Sequence, residues 1–279
     1  MYRIVKKRRL NDSVTELTVD APLIAAKAMP GQFIIFRLDE KGERIPLTIA
    51  GYDREKGTVT IIFQQVGRST IMLAGLEEGD DIFDFVGPLG TASHLGGLKR
   101  VCVVGGGVGC AIAWPQAKAL HEMGAEVDII AGFRSEDIVI LEDEMRASCK
   151  NLYLTTDDGS YGEKGFVTDK LKSLIRAGNK YDMVIAIGPV IMMKFVCKVT
   201  EEEKIPTVVS LNPIMIDGTG MCGGCRVPVG GTVYFACVDG PDFDGHKVDF
   251  DELMIRNSLY KEQEADHRCR LLKGGELHG

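Results

Sequence analysis

The stretch Val101–Gly109 reads VCVVGGGVG, and a segment of helical length, from about Val108 to Met123, overlaps and follows it. A buried strand that runs into glycines and then opens a helix is typical of a dinucleotide-binding loop. Glycine lets the backbone turn tightly and lets a diphosphate approach the free N–H groups of the helix. The glycines are Gly105, Gly106, Gly107 and Gly109. A tight strand–helix turn without a ligand is the alternative, so this loop alone does not decide the function.

Apolar runs and helical segments alternate downstream of this loop. The predicted strands are Arg100–Val104, Val127–Ala131, Leu152–Thr156, Met183–Ile187 and Thr207–Ser210. The predicted helices between them are Val108–Met123, Glu142–Cys149, Gly165–Ala177 and Val190–Val199. This alternation predicts a Rossmann-like parallel sheet with both faces covered by helices. The pattern spans residues 98–210, which we take as one predicted domain.

Further loops stand where the carboxyl ends of these parallel strands meet, and in an open parallel sheet that edge forms the ligand crevice. The loops at this edge contribute Arg134, Asp157, Asp158, Gly159, Gly188 and Pro189. The acidic pair can hold ribose hydroxyls, although such residues also make ordinary turns. Because two carboxylates would repel a ribose phosphate, the pair favours NAD(H) over NADP(H). Arg134 is the counter-argument, since a guanidinium is a good phosphate partner.

The first hundred residues carry no convincing helical periodicity. Short apolar runs alternate there with turn signals, and the predicted strands are Arg3–Lys7, Val14–Val19, Gln32–Arg37, Leu47–Ala50, Thr58–Gln64 and Asp81–Val86. Short strands at this spacing predict a small antiparallel β-barrel over residues 1–97. The predicted fold class is therefore α/β plus β, with a Gly- and Cys-rich C-terminal region over residues 211–279.

A cysteine loop follows the last predicted strand: Asp217–Cys225 reads DGTGMCGGC, and Cys237 comes after it. The gap between Cys222 and Cys225 lets both thiolates reach one metal. The gap from Asp217 to Cys222 matches the first spacing of plant-type two-iron ferredoxins, with Asp217 in the place of a cysteine. These four residues are therefore candidate ligands of a [2Fe-2S] cluster. Zinc is the main alternative, and a redox dithiol is a weaker one.

Composition and charge argue against several classes of protein. The formal net charge is −7 and there is no long basic run, which argues against nucleic acid and against an anionic membrane surface. The most apolar stretch, Val101 to Pro115, is too short to span a bilayer. The N-terminus has no apolar stretch of signal-peptide length, so we expect a cytoplasmic protein that contacts no membrane and has no disulfide framework.

Together these features identify a resemblance to the ferredoxin–NADP reductase superfamily. Within it, the chain resembles the electron-transfer subunits of dihydroorotate dehydrogenase and, closer still, the small subunits of NADH-dependent reduced ferredoxin:NADP oxidoreductases. The motifs that carry the resemblance are RIPLTIAG at 44–51, VGRST at 66–70, GPLG at 87–90, VVGGGVG at 103–109, TTDDGSYGEKGFVTD at 155–169, DGTGMCGGC at 217–225 and ACVDGP at 236–241. They are spread over nearly the whole chain.

The resemblance implies that the N-terminal barrel binds FAD. Arg44 would neutralise the diphosphate, and Thr48 would place its hydroxyl near the reactive flavin nitrogen. The segments that would approach the cofactor supply Pro46, Leu47, Gly67, Arg68, Ser69, Thr70, Gly87 and Gly90. The sequence departs from the family pattern at three places, and the first is that Arg44 stands one residue further from Thr48 than in many relatives. Pro46-Leu47 replaces the usual aromatic residue beside the flavin, and Ile187 replaces a frequent cysteine before Gly188.

The implied function is hydride exchange between NAD(H) and FAD, followed by single-electron transfer through the [2Fe-2S] cluster. A larger flavin or iron–sulfur subunit would complete a heterodimer, take part in flavin-based electron bifurcation and connect the chain indirectly to ferredoxin. The electron-transfer subunit of a dihydroorotate dehydrogenase is the alternative enzyme, although its cluster loop would normally carry four cysteines. A non-catalytic NAD-responsive subunit with structural zinc is the alternative from another class.

The segment Phe243–Tyr260 is partly helical in its spacing and carries many apolar residues. That is more apolar surface than a free tail exposes, so the segment should pack on its own domain or on a partner. We expect the cluster region and the C-terminal tail to form the docking surface for the larger subunit.

Overall fold

The computed structural model describes residues 1–272, with the backbone alone for 267, 268 and 270–272. The first sheet has the strand order β6-β1-β2-β5-β4-β3-β7, and its pairings are antiparallel. Its strands are β1 Tyr2–Arg9, β2 Val14–Asp20, β3 Phe33–Arg37, β4 Ile45–Asp53, β5 Thr58–Gln64, β6 Asp81–Ile82 and β7 Asp84–Leu89. Two short helices accompany it, α1 Pro22–Ala25 and α2 Arg68–Ala74.

The first sheet curls into a barrel-like layer, as the sequence predicts. Strands β6 and β7 lie at opposite edges of the sheet although they are almost consecutive in the chain, so the two edges must approach each other. The predicted strand Asp81–Val86 is thus divided between the two edges. The interior of the barrel-like layer is filled by buried side chains, among them Leu17, Ile34, Phe36, Ile61 and Phe85.

The second sheet is the predicted parallel one, in the order β11-β10-β9-β8-β12-β13-β16. Its parallel strands are β8 Arg100–Gly106, β9 Glu126–Phe133, β10 Asn151–Thr156, β11 Glu163–Lys164, β12 Met183–Ile187 and β13 Thr207–Ser210. The helices are α3 Gly109–Glu122, α4 Glu142–Arg146, α5 Val167–Arg176 and α6 Val190–Glu202. The three central strands β8, β9 and β12 are almost entirely buried, as strands covered on both faces must be.

The C-terminal region packs back on the second sheet. Strands β14 Arg226–Val229 and β15 Thr232–Phe235 form a hairpin, and β16 Asp242–Asp244 adds an antiparallel edge strand beside β13. Helix α7 Phe250–Arg256 and helix α8 Lys261–Leu272 follow. Residues 273–279, the end of the predicted C-terminal region, lie outside the described residues.

Cys225 and Cys237 belong to the core that lies under the parallel sheet. Their cluster of buried side chains also contains Ile35 from β3 and Leu253 from α7. The cysteine loop is therefore anchored at its buried end, between the two sheets. Within Phe243–Tyr260, the residues Phe243, Phe250 and Leu253 are buried in this core, whereas Ile255, Leu259 and Tyr260 are more than half exposed.

Candidate functional site

The carboxyl edge of the parallel sheet brings the sequence-predicted loops together. The amide of Gly107 donates to the carbonyl of Gly132 at 2.8 Å, which joins the loop after β8 to the carboxyl end of β9. The amide of Asp157 donates to the Phe133 carbonyl at 3.1 Å, which joins the loop after β10 to the last residue of β9. These hydrogen bonds place Gly107 and Asp157 next to each other's strands at the carboxyl edge of the sheet, where parallel sheets bind their ligands.

Gly109, the first residue of α3, packs tightly against the carboxyl end of β12. A Cβ at this position would lie 2.5 Å from the carbonyl oxygen of Ile187 and 2.7 Å from the Cα of Gly188, so only glycine fits. Gly107 differs, because it has a φ of +56° and a Cβ there would meet no protein atom within 4 Å. Gly109 thus permits close packing of α3 on the end of β12, whereas Gly107 borders open space at the start of α3.

The two acidic residues after β10 are not equivalent. The carboxylate of Asp158 accepts hydrogen bonds from the amide of Ser160 at 2.9 Å and from its hydroxyl at 2.7 Å. The Ser160 hydroxyl and amide lower the pKa of Asp158, which therefore serves its own turn. The Asp157 carboxylate is exposed and has no hydrogen-bond partner among the described side chains, and Arg134 is likewise exposed. Asp157 is the member of the pair that is free to meet a ribose.

The predicted flavin residues lie on β4, β7 and the start of α2. Arg44 directly precedes β4, which contains Pro46, Leu47 and Thr48, all partly exposed. The Thr48 hydroxyl makes no hydrogen bond to any described residue. Gly87 lies on β7, and Gly90 follows it.

The N-terminus of α2 carries the predicted VGRST motif. The hydroxyl of Thr70 accepts hydrogen bonds from the amides of Val66 and Gly67, both at 3.1 Å, so this side chain caps the helix. The Ser69 hydroxyl donates to the Glu43 carboxylate. The Nε of Arg68 is buried and has no partner in the described chain. A buried guanidinium donor without an acceptor fits an anionic ligand such as a diphosphate.

Asp217, Cys222 and Cys225 lie on the cysteine loop, and the Cys222 and Cys225 sulfurs are near enough to Cys237 to affect the pKa of its thiol. Backbone amides are directed at the sulfurs of the loop: Gly224 N–H lies 3.5 Å from the Cys222 sulfur, and Cys237 N–H lies 3.4 Å from the Cys225 sulfur. The Asp217 carboxylate accepts a hydrogen bond from the Thr219 hydroxyl. Among the described side chains, no three carboxylates, imidazoles or thiols stand close enough to hold a single metal ion.

The thiols of this loop differ in electrostatic environment. The Gly224 amide lowers the pKa of Cys222, which is exposed at the tip, although the nearby Asp217 carboxylate opposes this effect. Burial raises the pKa of Cys237 to about 12, and the neighbouring Cys225 and Cys222 sulfurs add to that effect. Neighbouring thiolates repel one another, so each thiol of the group is harder to deprotonate. A bound cationic centre would neutralise the negative charge of the thiolates, and the grouping fits such a site.

Two groups of contacts next to these sites were not predicted from the sequence. Arg256, at the end of α7, donates to the carbonyl of Gly224 at 3.1 Å. The Asp242 carboxylate accepts hydrogen bonds from the Ser93 hydroxyl at 2.6 Å and from the Gln116 amide at 3.4 Å. Arg256 and Asp242 do not belong to a recognisable sequence motif, so the local sequence gives no indication of these contacts. Both depend on tertiary contacts between distant segments.

Comparison with known proteins agrees with this geometry. The model of the iron–sulfur cluster binding domain of dihydroorotate dehydrogenase B matches residues 212–249. A Thermotoga maritima protein described as a homolog of the electron transfer subunit of dihydroorotate dehydrogenase B (NAD(+)) is 47% identical, over 98% of this chain and 96% of its own length. The chain belongs to the family of dihydroorotate dehydrogenase B electron-transfer subunits and their homologues.

Solved structures place the chain more finely within that electron-transfer family. A chain from the structure of a NADH-dependent reduced ferredoxin-NADP oxidoreductase, studied for flavin-based electron bifurcation, is 45% identical with a TM-score of 0.93, and the match covers 98% of each chain. A mutant ferredoxin-NADP+ reductase from Plasmodium falciparum has a TM-score of 0.59 at 14% identity, which shows the shared fold alone. The resemblance and the fold class predicted from the motifs are confirmed. None of the helices over residues 1–272 is long and apolar enough to cross a membrane.

Proposed function

We propose that this chain is an NAD(H)-dependent flavin oxidoreductase subunit that exchanges hydride between NAD(H) and FAD and passes single electrons through a [2Fe-2S] cluster to a larger partner. One contact carries this proposal. Arg44, in the flavin motif, donates from Nη2 to the carbonyl of Asp217, a candidate cluster ligand, at 3.3 Å. The proposed flavin and cluster sites therefore adjoin within one chain. When bound, FAD supplies the conversion between two-electron hydride transfer and single-electron transfer.

In this proposal the barrel, residues 1–97, holds FAD between β4, β7 and the start of α2. Arg44 and Arg68 face the diphosphate, and Arg68 supplies the buried donor that lacks a protein acceptor. Thr48 offers a hydroxyl with no protein partner to the flavin ring. The glycine-containing segments 67–70 and 87–90 leave the backbone accessible to the cofactor.

The parallel sheet, residues 98–210, holds the nicotinamide cofactor at its carboxyl edge. The open space beside Gly107 receives the diphosphate at the start of α3. The free carboxylate of Asp157 meets the ribose hydroxyls and favours NAD(H), and the loop at Gly188-Pro189 approaches the nicotinamide. No side chain is required as a general base, because the chain binds and orients two redox cofactors.

The C-terminal region, residues 211–279, holds the cluster with Asp217, Cys222, Cys225 and Cys237. Backbone amides directed at the sulfurs suit a cluster whose potential depends on hydrogen bonds to sulfur. An aspartate in the first ligand position favours this electron-transfer role over that of a dihydroorotate dehydrogenase subunit, whose loop would carry four cysteines. By the 45% identical relative, we propose that the chain takes part in bifurcating ferredoxin:NADP reduction.

A larger flavin or iron–sulfur subunit completes the enzyme as a heterodimer in the cytoplasm. The chain offers one nicotinamide site, one flavin site and one relay, so the second substrate must bind elsewhere. Apolar side chains surround the exposed tip of the cysteine loop: Ile216 is 52% exposed, Met221 87% and Val238 43%. An apolar patch beside a relay centre suits a partner that receives electrons.

The visible spectrum and metal content of the purified chain test this proposal. We expect a yellow-brown protein with flavin and iron–sulfur bands, about one FAD and about two irons per chain. NADH should bleach the flavin band of the isolated subunit. A colourless protein that contains zinc would instead support a non-catalytic NAD-responsive subunit and contradict the proposal.

A further inference from the structure

Two arginines from distant parts of the chain hold the backbone of the cysteine loop. Arg44, just before β4, donates from Nε to the carbonyl of Ile216 at 3.0 Å and from Nη2 to that of Asp217 at 3.3 Å. Arg256, at the end of α7, donates from Nη2 to the carbonyl of Gly224 at 3.1 Å. The two guanidinium groups thus fasten the two ends of segment 216–224, which carries the first two candidate ligands.

This segment has little stiffness of its own. Gly218, Gly220 and Gly223 all have positive φ values between 68° and 83°, and Met221 and Cys222 are exposed. Glycine-rich backbone has many accessible conformations, so the positions of ligands on it must be fixed from outside. Gly218 supplies one such contact, since a Cβ there would lie 2.6 Å from Ile35 on β3. Arg44 and Arg256 supply the polar contacts that fix this segment from outside.

Both arginines also bring positive charge that is not neutralised by protein carboxylates. Neither Arg44 nor Arg256 forms an ion pair with any described side chain, and both are only partly exposed. The Nε of Arg256 is buried and has no acceptor in the described chain. A planar guanidinium that stays charged at any working pH is suited to such a site.

We infer that Arg44 and Arg256 are positioning residues for the proposed iron–sulfur centre: they clamp the ligand-bearing segment at both ends and place two positive charges beside it. The inference rests on the proposed function, because it assigns these residues to the cluster of that proposal. An iron–sulfur centre gains negative charge on reduction, so nearby cations raise its reduction potential. Arg44 has a further consequence, since it connects the flavin motif to the backbone of the Asp217 ligand.

Arg256 gives the cleaner test, because it lies outside the proposed flavin and nicotinamide sites. We compare Arg256→Gln and Arg256→Lys with Arg176→Gln, which makes the same charge change on the exposed end of α5. Measurements on the full chain are iron and FAD content, the rate of iron release to a chelator, the EPR spectrum, and the midpoint potential from EPR-monitored titration. We expect Arg256→Gln to keep FAD, to release iron at least several-fold faster, and to shift the potential downward with altered EPR g-values.

The conservative variant separates positioning from general damage. Arg256→Lys keeps the charge and one donor, so it should return the potential towards the wild-type value, while Arg176→Gln should match wild type throughout. Wild-type potential, EPR spectrum and iron-release rate in Arg256→Gln would overturn the inference and leave the proposed function intact. A wild-type chain without iron would overturn both.

Arg44 is tested by the ratio of iron to FAD in Arg44→Gln. A clamp on the loop predicts that iron is lost in greater proportion than FAD and that the EPR spectrum of the remaining cluster changes. If Arg44→Gln loses FAD while the cluster keeps its wild-type spectrum and potential, Arg44 serves the diphosphate alone and its part of the inference is wrong.

Discussion

Replacement of Gly107 by alanine tests whether the open space at the start of α3 receives a cofactor. Gly107 has a φ of +56°, and Gly124, just after α3, has a φ of +88°. A Cβ at either position would meet no protein atom within 4 Å. Both alanines therefore carry the same kind of cost, about 1–2 kcal/mol for a left-handed non-glycine residue. That cost corresponds to a fall of roughly 2–4 °C in Tm for a chain of this length.

Only one of the two sites borders the proposed ligand. In Gly107→Ala the added methyl group occupies space that we assign to the NADH diphosphate, so affinity should fall roughly tenfold, which is about 1.4 kcal/mol. The assay is anaerobic stopped-flow bleaching of the flavin band across a range of NADH concentrations. Gly124→Ala is the matched control and should keep the wild-type NADH dependence. Equal NADH dependence in the two variants would refute the placement of the dinucleotide at this loop.

Four further predictions concern the cluster, the dinucleotide, the partner and the barrel–sheet junction. Asp217→Cys should retain about two irons but change the midpoint potential and the EPR signal, because a carboxylate is a harder donor than a thiolate. Asp157→Asn should narrow the preference for NADH over NADPH in steady-state flavin reduction, since it removes the free carboxylate. Ile255→Asp combined with Leu259→Asp should leave the FAD content unchanged but weaken co-purification of the larger subunit, because both side chains are more than half exposed. Burial raises the pKa of Asp242, although hydrogen bonds from serine and glutamine side chains oppose the shift. Above about pH 4 the Asp242 carboxyl is therefore more protonated in the folded chain than in the unfolded chain. The free energy of unfolding should fall as the pH rises from there through the raised pKa. Asp242→Asn should flatten that decline when urea unfolding is followed upward from about pH 4.

Each of these outcomes can fail in a specific way. Stoichiometric iron after Cys225→Ser combined with Cys237→Ser would contradict the ligand assignment. A clear NADPH preference of the wild-type subunit would reverse the dinucleotide assignment. Undiminished co-purification of the partner with the double aspartate variant would exclude this part of α7 and its C-terminal flank as a docking surface. The same pH dependence in Asp242→Asn and wild type would mean that Asp242 does not hold a proton in the fold.

Regular elements with strong patterns were predictable from the sequence, since periodicity and glycine placement report local backbone geometry. Strands β8 and β12 and helix α6 start where the apolar runs predict, and helix ends differ by a few residues. Helix α2 lies in the part of the chain where the sequence shows no convincing helical periodicity. The Thr70 hydroxyl caps the N-terminus of this helix, and Thr70 belongs to the VGRST motif, which the family resemblance assigns to cofactor binding.

Features that depend on tertiary contact were not predictable. Strand β16 has only three residues, and its pairing with β13 comes from the return of the chain after Cys237. The apolar spacing of the segment Phe243–Tyr260 allowed two outcomes, namely packing on its own domain or contact with a partner. The structure divides it, with Phe243 and Leu253 buried and Tyr260 exposed. Burial and exposure along one segment depend on the surface that it lies against, and that surface comes from distant residues.

The central claim is that NADH, flavin and an aspartate-ligated cluster are connected within this one chain. Anaerobic mixing of the purified subunit with NADH, followed by rapid freezing and EPR, tests it most directly. We predict that the flavin band bleaches and that the EPR signal of a reduced [2Fe-2S] cluster then appears, with a signal that changes in Asp217→Cys. Flavin bleaching without any cluster signal, or a cluster signal unaffected by Asp217→Cys, would contradict the account.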